Sequence, residues 1–405
     1  MDRKHRIGRR EFIATSAGAL VVGLGSAHGR VPITNIQEAA DKVGRLPHRR
    51  LDRSGRKVSV LIGAADWAPE AVEAGLLCGI NYWHKSQKWA AGGAPQTILK
   101  NREAYYCEIC VDRVRGNHET GVIEEEADYQ AVKQAVERTG LRYFDDMVLH
   151  FGYHNITEMK NNRGFIRAYE RLKKEGLVRH LALSQHSYNG NIKVPGGEDR
   201  VSILTSVLEE GLYEHAQFAF TFGEGEALTQ FVSLAKNKGF GTTAMKTAAG
   251  TSRMQADSDF MSKFPAGTTP HHALARWLTT STDLSTAVIQ LGSLDQFVDT
   301  YSGAGKPLRA ADSRAIELMT EYANREVCRL CNDCMSHCAE GVAIADILRY
   351  ERYATDYGDR ERARRLYAEL DKRADACQVC GDCLPHCPQG LKIPTKLANA
   401  HRLLS

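Results

Sequence analysis

The sequence predicts an α/β fold, a (β/α)8 barrel followed by a small helical domain, and two observations support this prediction. From residue 58 onwards, short runs rich in β-branched and aromatic residues alternate with longer stretches of helical periodicity. Eight such runs, each followed by a helical stretch, are typical of a parallel barrel. From residue 311 the pattern is helical and is interrupted by cysteines. An open doubly wound sheet is the alternative, but no glycine-rich dinucleotide motif follows the first run.

The predicted strands are short and are separated by amphipathic stretches. The strands are VSVLIG (58–63), INYWHK (80–85), AYYCEICV (104–111), DDMVLHF (145–151), HLALSQ (180–185), AQFAFT (216–221), GTTAMK (241–246) and TAVIQL (286–291). The helices between them include EEADYQAVKQAVERTG (125–140), FIRAYERLKKEG (165–176), HHALARWLTT (271–280) and LDQFVDTYS (294–302). Side chains at the carboxyl ends of the strands are therefore the candidates for function, because barrel enzymes keep their chemistry there.

Composition places the chain among ordinary soluble globular proteins. It has 405 residues, 43% of them hydrophobic and 25% charged, which fits one large domain and a smaller one. The formal net charge of +4 is mild, and no basic block stands out beyond the first ten residues. We therefore expect no nucleic-acid partner.

The first 27 residues have the pattern of an export signal. Basic residues precede a small apolar stretch from Phe12 to Gly25, and Gly25-Ser26-Ala27 provides small residues for cleavage. Arg9 and Arg10 followed by Phe12 resemble a twin-arginine signal, a route that carries folded proteins with their cofactors. We expect a periplasmic or other extracytoplasmic protein with no stable membrane span after the signal is removed; a short basic anchor helix is the alternative.

Two cysteine motifs near the C-terminus are the most specific feature of the sequence. CRLCNDCMSHC and CQVCGDCLPHCP share the spacing CxxCxxCxxxC. This spacing is typical of 4Fe–4S clusters, in which the fourth cysteine of one motif ligates the other cluster. One predicted cluster uses Cys328, Cys331, Cys334 and Cys387; the other uses Cys377, Cys380, Cys383 and Cys338. Zinc and disulfides are the alternatives, but zinc takes four ligands and leaves the extra cysteines unexplained.

The segments around these motifs predict a helical domain over residues 311–405. Helical patterns cover 311–327, 344–374 with a break near Gly358, and 393–404. This arrangement resembles helical ferredoxins more than the small strand-rich ones. The remaining cysteines, Cys78, Cys107 and Cys110, are expected in the core, since residues three apart on a strand point to opposite faces.

Five segments, in order and at matching spacing, resemble the aldo-keto reductase family over residues 46–305. They are RRLDRSGRKVSVL, EAGLLCGINYW, TGLRYFDDMVLH, GLVRHLALS and FGTTAMKTAAG. The resemblance implies a barrel enzyme that reduces carbonyl groups with NADPH through an Asp, a Tyr, a Lys and a His. Here His84 stands at the Asp place, Trp89 at the Tyr place and Cys110 at the Lys place, while the His is kept as His150.

These changes alter the expected acid–base chemistry. An indole is not a usable acid, and a thiol brings no positive charge. An imidazole titrates near neutrality, so His84 and His150 are the candidate proton-handling pair. The alternative is that both are inherited rim residues without a catalytic duty.

The resemblance also implies a nucleotide site. Ser184 and Gln217 match the residues that contact the nicotinamide amide, Gln185 takes the place of an Asn, and Lys246 is positioned for a phosphate. The helix after the last strand, GSLDQFVDTYS, lacks the arginine that would bind a 2′-phosphate. NADP(H) is therefore the second cofactor to test, after the two clusters.

The sequence as a whole predicts an iron–sulfur oxidoreductase of the aldo-keto reductase type, acting on an unidentified small molecule. Its partner would be a redox protein or a small electron carrier. One alternative is a non-catalytic barrel that serves as a docking platform for the electron-transfer domain. Another is an NADPH-dependent carbonyl reductase with a substitute acid.

Overall fold

The computed structural model describes residues 33–405, apart from 92, 112–124, 154, 162, 186–199, 249, 281, 331–332 and 357–358. The export signal and Cys331 therefore lie outside the described residues. Among the residues that are described, no helix is both long and apolar enough to cross a membrane.

A closed eight-stranded parallel barrel forms the centre of the molecule, which confirms the predicted fold class. Its strands are β3 (Leu61–Ala64), β4 (Tyr82–His84), β5 (Tyr106–Val111), β6 (Phe144–Leu149), β7 (Val178–Gln185), β8 (His215–Ala219), β9 (Gly241–Met245) and β10 (Thr286–Val288). They pair in chain order, and β10 closes the barrel onto β3. Every predicted strand thus contributes to the barrel.

The prediction of VSVLIG as a single strand was wrong, because the structure divides it between two strands. Its first part is β2 (Lys57–Ser59), which pairs antiparallel with β1 (His48–Arg50), and only the second part belongs to the barrel. The backbone N–H of Val60 bonds to the carbonyl of Pro47 at 3.0 Å, where the chain passes from hairpin to barrel. The turn of this hairpin carries the buried side chains of Asp52 and Arg56.

Helices surround the barrel, and the four that the sequence predicted between strands are confirmed to within one or two residues. The helices up to the last strand are α1 (Ile36–Val43), α2 (Pro69–Leu77), α3 (Gln96–Lys100), α4 (Glu125–Thr139), α5 (Ile156–Asn161), α6 (Gly164–Lys174), α7 (Arg200–Glu210), α8 (Glu226–Asn237), α9 (Thr251–Ala256), α10 (Ser258–Ser262) and α11 (Pro270–Thr280). After β10 comes α12 (Leu294–Tyr301).

The C-terminal part is helical, as predicted. It contains α13 (Ala310–Glu326), α14 (Ile344–Thr355), α15 (Arg360–Ala368) and α16 (Ile393–Leu404). The buried face of α13, including Ala315 and Met319, packs within the barrel's hydrophobic core. By contrast, Ile347 of α14 and Leu397 of α16 belong to a second, separate core. Among the described residues, α13 thus packs with the barrel, whereas α14 and α16 pack around a core of their own.

Candidate functional site

A carboxylate, Glu108, is completely buried inside the barrel. Strand alternation turns Glu108 and Cys110 of β5 inwards, while Cys107 lies on the opposite face and points out towards the helices. The Oε1 atom of Glu108 contacts Nδ1 of His84, at the end of the neighbouring strand β4. The same oxygen lies 3.7 Å from the Cys110 sulfur. His84, Glu108 and Cys110 thus meet at the carboxyl ends of two adjacent strands.

Hydrogen bonds hold the second oxygen of Glu108 in place. The amide of Gln217 donates to Oε2, and the hydroxyl of Tyr82 lies 2.8 Å from it. Burial alone raises the pKa of Glu108, but the His84 ring and the Gln217 amide outweigh that effect and lower the pKa below its usual range. Glu108 is therefore an ionised carboxylate at neutral pH.

Below this group, charged residues continue along the barrel axis. The Tyr82 hydroxyl also lies 3.2 Å from Asp146, whose Oδ2 accepts a 2.6 Å bond from Arg56. Arg56, from the hairpin turn at the bottom of the barrel, pairs in addition with Asp52. Burial raises the pKa of Asp146, but Arg56 outweighs burial and lowers it. This interior differs from the usual layers of branched apolar side chains, because fixed charges connect the bottom of the barrel with its mouth.

Cys110 is fixed by a backbone clamp. The side chain of Gln87 accepts a 3.2 Å bond from the backbone N–H of Cys110 and donates a 2.9 Å bond to its carbonyl. Cys107 lies on the other face of the strand, and burial raises the pKa of its thiol to about 12. The predicted separation of the two cysteines onto opposite faces is confirmed. Cys78 is a buried core residue, also as predicted.

Trp89 and His150, at the other predicted tetrad positions, lie against aromatic rings. Trp89 packs against Trp83 with ring centroids 5.7 Å apart and belongs to the barrel core. His150 is half-buried, and its ring stacks on Phe151 at 4.1 Å. His84 is thus the proton-handling candidate that has a carboxylate beside its ring.

Three residues that follow barrel strands adopt a left-handed backbone. Lys85 after β4, Phe151 after β6 and Lys246 after β9 have φ values of 53°, 69° and 54°. Such conformations are unfavourable for residues with a Cβ and occur often at functional sites. The strain is concentrated at the barrel mouth.

The predicted nucleotide contacts form bonds within the protein. The Gln185 side chain accepts a 3.1 Å bond from the N–H of Tyr153 and donates a 2.8 Å bond to its carbonyl. The nitrogen of Gln217 binds Glu108, and Ser184 donates to the sulfur of Met245 at 3.7 Å. All three predicted side chains are buried in the barrel. A nicotinamide would have to compete with these bonds.

Lys246 lies among cations at the mouth. Burial lowers the pKa of Lys246 well below its usual range, and Arg349 and Arg352 of α14 lower it further. The C-terminal helices therefore approach the barrel mouth closely. Arg253 of α9 links the two parts, with a 2.6 Å ion pair to Asp356 and a 3.2 Å pair to Glu351.

The two cysteine motifs repeat each other in backbone geometry. Cys377 follows Cys328 by 49 residues (377 − 328), and Leu330 and Val379, two residues after each, have φ values of 60° and 57°. At the other end, Gly341 and Gly390 have φ values of 66° and 63°. The helices that follow, α14 and α16, begin at equivalent positions and both have 12 residues.

Backbone N–H groups donate to cysteine sulfurs at equivalent places. Val342 donates to Cys338 and Leu391 to Cys387, both at 3.4 Å. Leu330 donates to Cys328, also at 3.4 Å. Such bonds stabilise thiolates, and around iron–sulfur clusters they tune the reduction potential.

One cysteine crosses from the first motif to the second. Burial raises the pKa of the Cys383 thiol, and the neighbouring sulfurs of Cys377, Cys338 and Cys380 raise it further. Cys338 of the first motif is thus close enough to Cys383 of the second to affect its pKa. The ligand set of Cys338, Cys377, Cys380 and Cys383 stays a prediction from the sequence.

The sequence analysis did not single out Glu108, Tyr82, Asp146 and Arg56. A signal was present, because Glu108 in AYYCEICV and Asp146 in DDMVLHF are charged residues within otherwise buried strands. Their inward positions follow from alternation with Cys110 and Val148. Arg56 gave no such signal, since it reaches the barrel from a hairpin turn.

The fold and the site together define a parallel (β/α)8-barrel protein with a charged interior and a helical C-terminal region. No protein-family model matches the sequence, and no curated protein matches it. Among solved structures, the chain is similar to an aldo-keto reductase from Bacillus halodurans. Its holo form gives a TM-score of 0.48 at 16% identity, covering 67% of this chain and 96% of that one; its apo form gives 0.46 at 16%, covering 67% and 95%.

A candidate aldo-keto reductase from Pseudomonas aeruginosa is also similar. It gives a TM-score of 0.44 at 14% identity, covering 64% of this chain and 96% of that one. The assignment of the barrel itself rests on the strand order of this chain.

Proposed function

We propose that this protein is an oxidoreductase in which two 4Fe–4S clusters, held by the C-terminal cysteine motifs, exchange electrons with a site at the barrel mouth. The observation that carries the proposal is the repeated CxxCxxCxxxC motif, whose two copies have equivalent backbone geometry. Exchange of the fourth cysteine between two CxxCxxCxxxC motifs is the ligation pattern of two-cluster ferredoxins.

The residues present fit such clusters. The motifs offer eight thiols in two equivalent backbone frames, and backbone N–H groups donate to Cys328, Cys338 and Cys387. The two clusters would supply one-electron transfer, and this chain's residues would set their potentials through these bonds. The ligand sets are those predicted from the sequence: Cys328, Cys331, Cys334 and Cys387 for one cluster, and Cys377, Cys380, Cys383 and Cys338 for the other.

The surroundings of the motifs indicate a direction for the electrons. Arg329 in the first motif lies over the ring of Phe222, a residue of the barrel, at 5.7 Å. The second motif is more open, with Cys380 exposed and with Val379 and Leu384 exposed at 70% and 40%. A redox protein or small carrier would therefore exchange electrons at the second motif, and the first motif would face the barrel.

At the barrel mouth, His84 is our candidate for the proton that accompanies electron transfer. Glu108 contacts Nδ1 of His84 and orients its ring, while His150 would position the substrate from the next strand but one. The substrate is a small molecule. The proposal fits a chain that is exported folded, with its clusters in place, through the signal in residues 1–27.

Iron and acid-labile sulfide analysis of anaerobically purified protein tests the proposal. We expect about eight irons and eight sulfides per chain. Reduction should give the low-temperature EPR signals of interacting 4Fe–4S clusters. Zinc in place of iron, or markedly less than eight irons after reconstitution, would overturn it.

NADP(H) binding separates this function from ordinary carbonyl reduction. Because Gln185 and Gln217 are engaged within the protein, we expect weak or no binding of NADPH. Tight binding with hydride transfer to a carbonyl substrate would favour the alternative, a nucleotide-dependent reductase with a substitute acid. No nucleotide binding and no effect of His84→Ala or His150→Ala on turnover would favour the docking-platform alternative.

A further inference from the structure

We propose that His84, Glu108 and Cys110 form a binding site for one divalent metal ion, zinc in the first instance, at the mouth of the barrel. Their donor atoms, one nitrogen, one oxygen and one sulfur, all lie within 4.8 Å of one another, and all three residues are buried. The site uses none of the motif cysteines. It deepens the proposed function, because it rests on the placement of the reaction at this mouth.

The donor set determines the class of metal. Imidazole, carboxylate and thiolate are the three ligand types of zinc, with bonds of about 2.0 to 2.3 Å. A thiolate disfavours magnesium and calcium, which prefer oxygen ligands. Three protein ligands leave the fourth position of a tetrahedral zinc ion open, as in catalytic rather than structural sites. A substrate oxygen or a water molecule would occupy that position.

Hydrogen bonds from neighbouring residues hold two of the three ligands. Tyr82 and Gln217 bind the far oxygen of Glu108 and leave Oε1 directed at His84 and Cys110. Gln87 fixes the backbone of Cys110 through both its N–H and its carbonyl. Outer partners of this kind orient metal ligands and strengthen binding. Bonds within the protein thus hold Glu108 and Cys110 in place beside His84.

The charges balance when the ion enters. Binding of the ion would replace the direct contact between Nδ1 of His84 and Oε1 of Glu108, and the proton of a neutral imidazole would move to the other ring nitrogen. The Cys110 thiol releases one proton, so a carboxylate and a thiolate neutralise the two positive charges. No group is oxidised or reduced. The ion would then take over from His84 the task of polarising the substrate or a bound water.

Zinc titration of anaerobically purified protein with its full iron and sulfide content tests the inference, with a chromophoric chelator as competitor. We expect one zinc per chain beyond the cluster iron. Cys110→Ser and Glu108→Gln should each weaken binding by about 100-fold or more, and Gln217→Ala by about 10- to 100-fold. Cys78→Ser is the matched control, since Cys78 is a buried cysteine at the end of α2 whose sulfur lies 3.7 Å from the carbonyl of Ala40, and its replacement should leave binding unchanged.

Cobalt gives a second readout that reports the sulfur ligand. We expect a thiolate-to-cobalt charge-transfer band in the wild type and in Cys78→Ser, and its loss in Cys110→Ser. The inference would be overturned if the wild type bound no zinc, or if Cys110→Ser bound zinc as tightly as the wild type. These outcomes remain informative even if one variant folds poorly. Iron and sulfide counts show separately whether the clusters have formed. If they have not formed, the difference in zinc binding between Cys110→Ser and Cys78→Ser still tests the inference.

Discussion

The hydroxyl of Tyr82 lies between two buried carboxylates, 2.8 Å from Glu108 and 3.2 Å from Asp146. The two acids are direct neighbours across strands β5 and β6. Like charges opposite each other destabilise a sheet, so the pair depends on the groups that surround it. Burial, Asp146 and Glu108 together raise the pKa of Tyr82 well above its usual range, so the hydroxyl keeps its proton. Arg56 supplies the positive charge on the other side of Asp146.

Replacement of Tyr82 by phenylalanine should destabilise the fold. It removes a donor from two buried carboxylates, and hydrogen bonds to charged groups contribute about 1.5–3 kcal/mol. Urea denaturation measures the loss in the free energy of unfolding. Tyr301→Phe is the control, because its buried hydroxyl donates one bond of 2.7 Å to the neutral carbonyl of Ile62 and should cost about 1 kcal/mol. Equal losses in the two variants would contradict the charged character of the Tyr82 site.

Stability should fall as the pH drops below about 6.5, partly because of His215. Burial lowers the pKa of this histidine below its ordinary 6.5, although Asp146 and Glu108 oppose the shift. The unfolded chain then binds a proton that the folded chain does not, so stability is present above 6.5 and is lost as pH falls through the folded pKa. The slope is at most about 1.4 kcal/mol per pH unit for one proton.

The variant His215→Gln isolates this contribution. Its side chain can still bond to Thr243, as the ring does at 2.6 Å, but it does not titrate. Unfolding free energies measured between pH 5 and 7.5 should fall less steeply for the variant than for the wild type. Parallel curves would exclude His215, because His271 and His272, whose pKa values burial also lowers, are present in both proteins.

The Cys338→Ser variant should damage the same cluster as Cys383→Ser, and not the cluster that Cys334→Ser damages. Cys338 and Cys334 belong to the same motif, but Cys338 lies close enough to Cys383 of the second motif to raise the pKa of its thiol. In EPR spectra and potentiometric titrations, Cys338→Ser and Cys383→Ser should therefore show a damaged second cluster, and Cys334→Ser should show a damaged first cluster. A match between Cys338→Ser and Cys334→Ser would mean that each motif binds its own cluster.

Arg253→Gln should loosen the contact between the barrel and the C-terminal helices. The substitution removes ion pairs to Asp356 and Glu351, and Asp356 is largely buried, so we expect a cost of about 1–3 kcal/mol. Limited proteolysis should release a C-terminal fragment faster than in the wild type. Arg314→Gln breaks an exposed pair with Glu317 and should leave the cleavage rate unchanged. Equal rates in all three proteins would show that other contacts hold the two parts together.

The sequence predicted the barrel well because its strands are buried on both faces and read as continuous β-rich runs. It also predicted α14 and α15, which end and begin on either side of the break near Gly358. The hairpin β1–β2 was missed because Val58 and Leu61 lie in one continuous β-rich run. Only the pairing with His48–Arg50 divides that run.

The candidate site was predictable in part. His84 and Cys110 stand at strand ends, where a barrel places its chemistry, and the sequence identified both positions. The carboxylate that joins them was not identified. Glu108 is one residue in a strand, and its partners Tyr82 and Gln217 come from strands far apart in sequence. These side chains meet only when the barrel closes, and no local sequence pattern predicts which side chains then meet.

The stacked rings of His337 and His386 give the cysteine region a further property. They lie parallel with centroids 3.2 Å apart, at equivalent positions of the two motifs (386 − 337 = 49). An approximate dyad therefore passes between them and relates the two halves of the region. If each half lends its last cysteine to the other, neither can mature alone, and loading with iron becomes an all-or-none event for the pair.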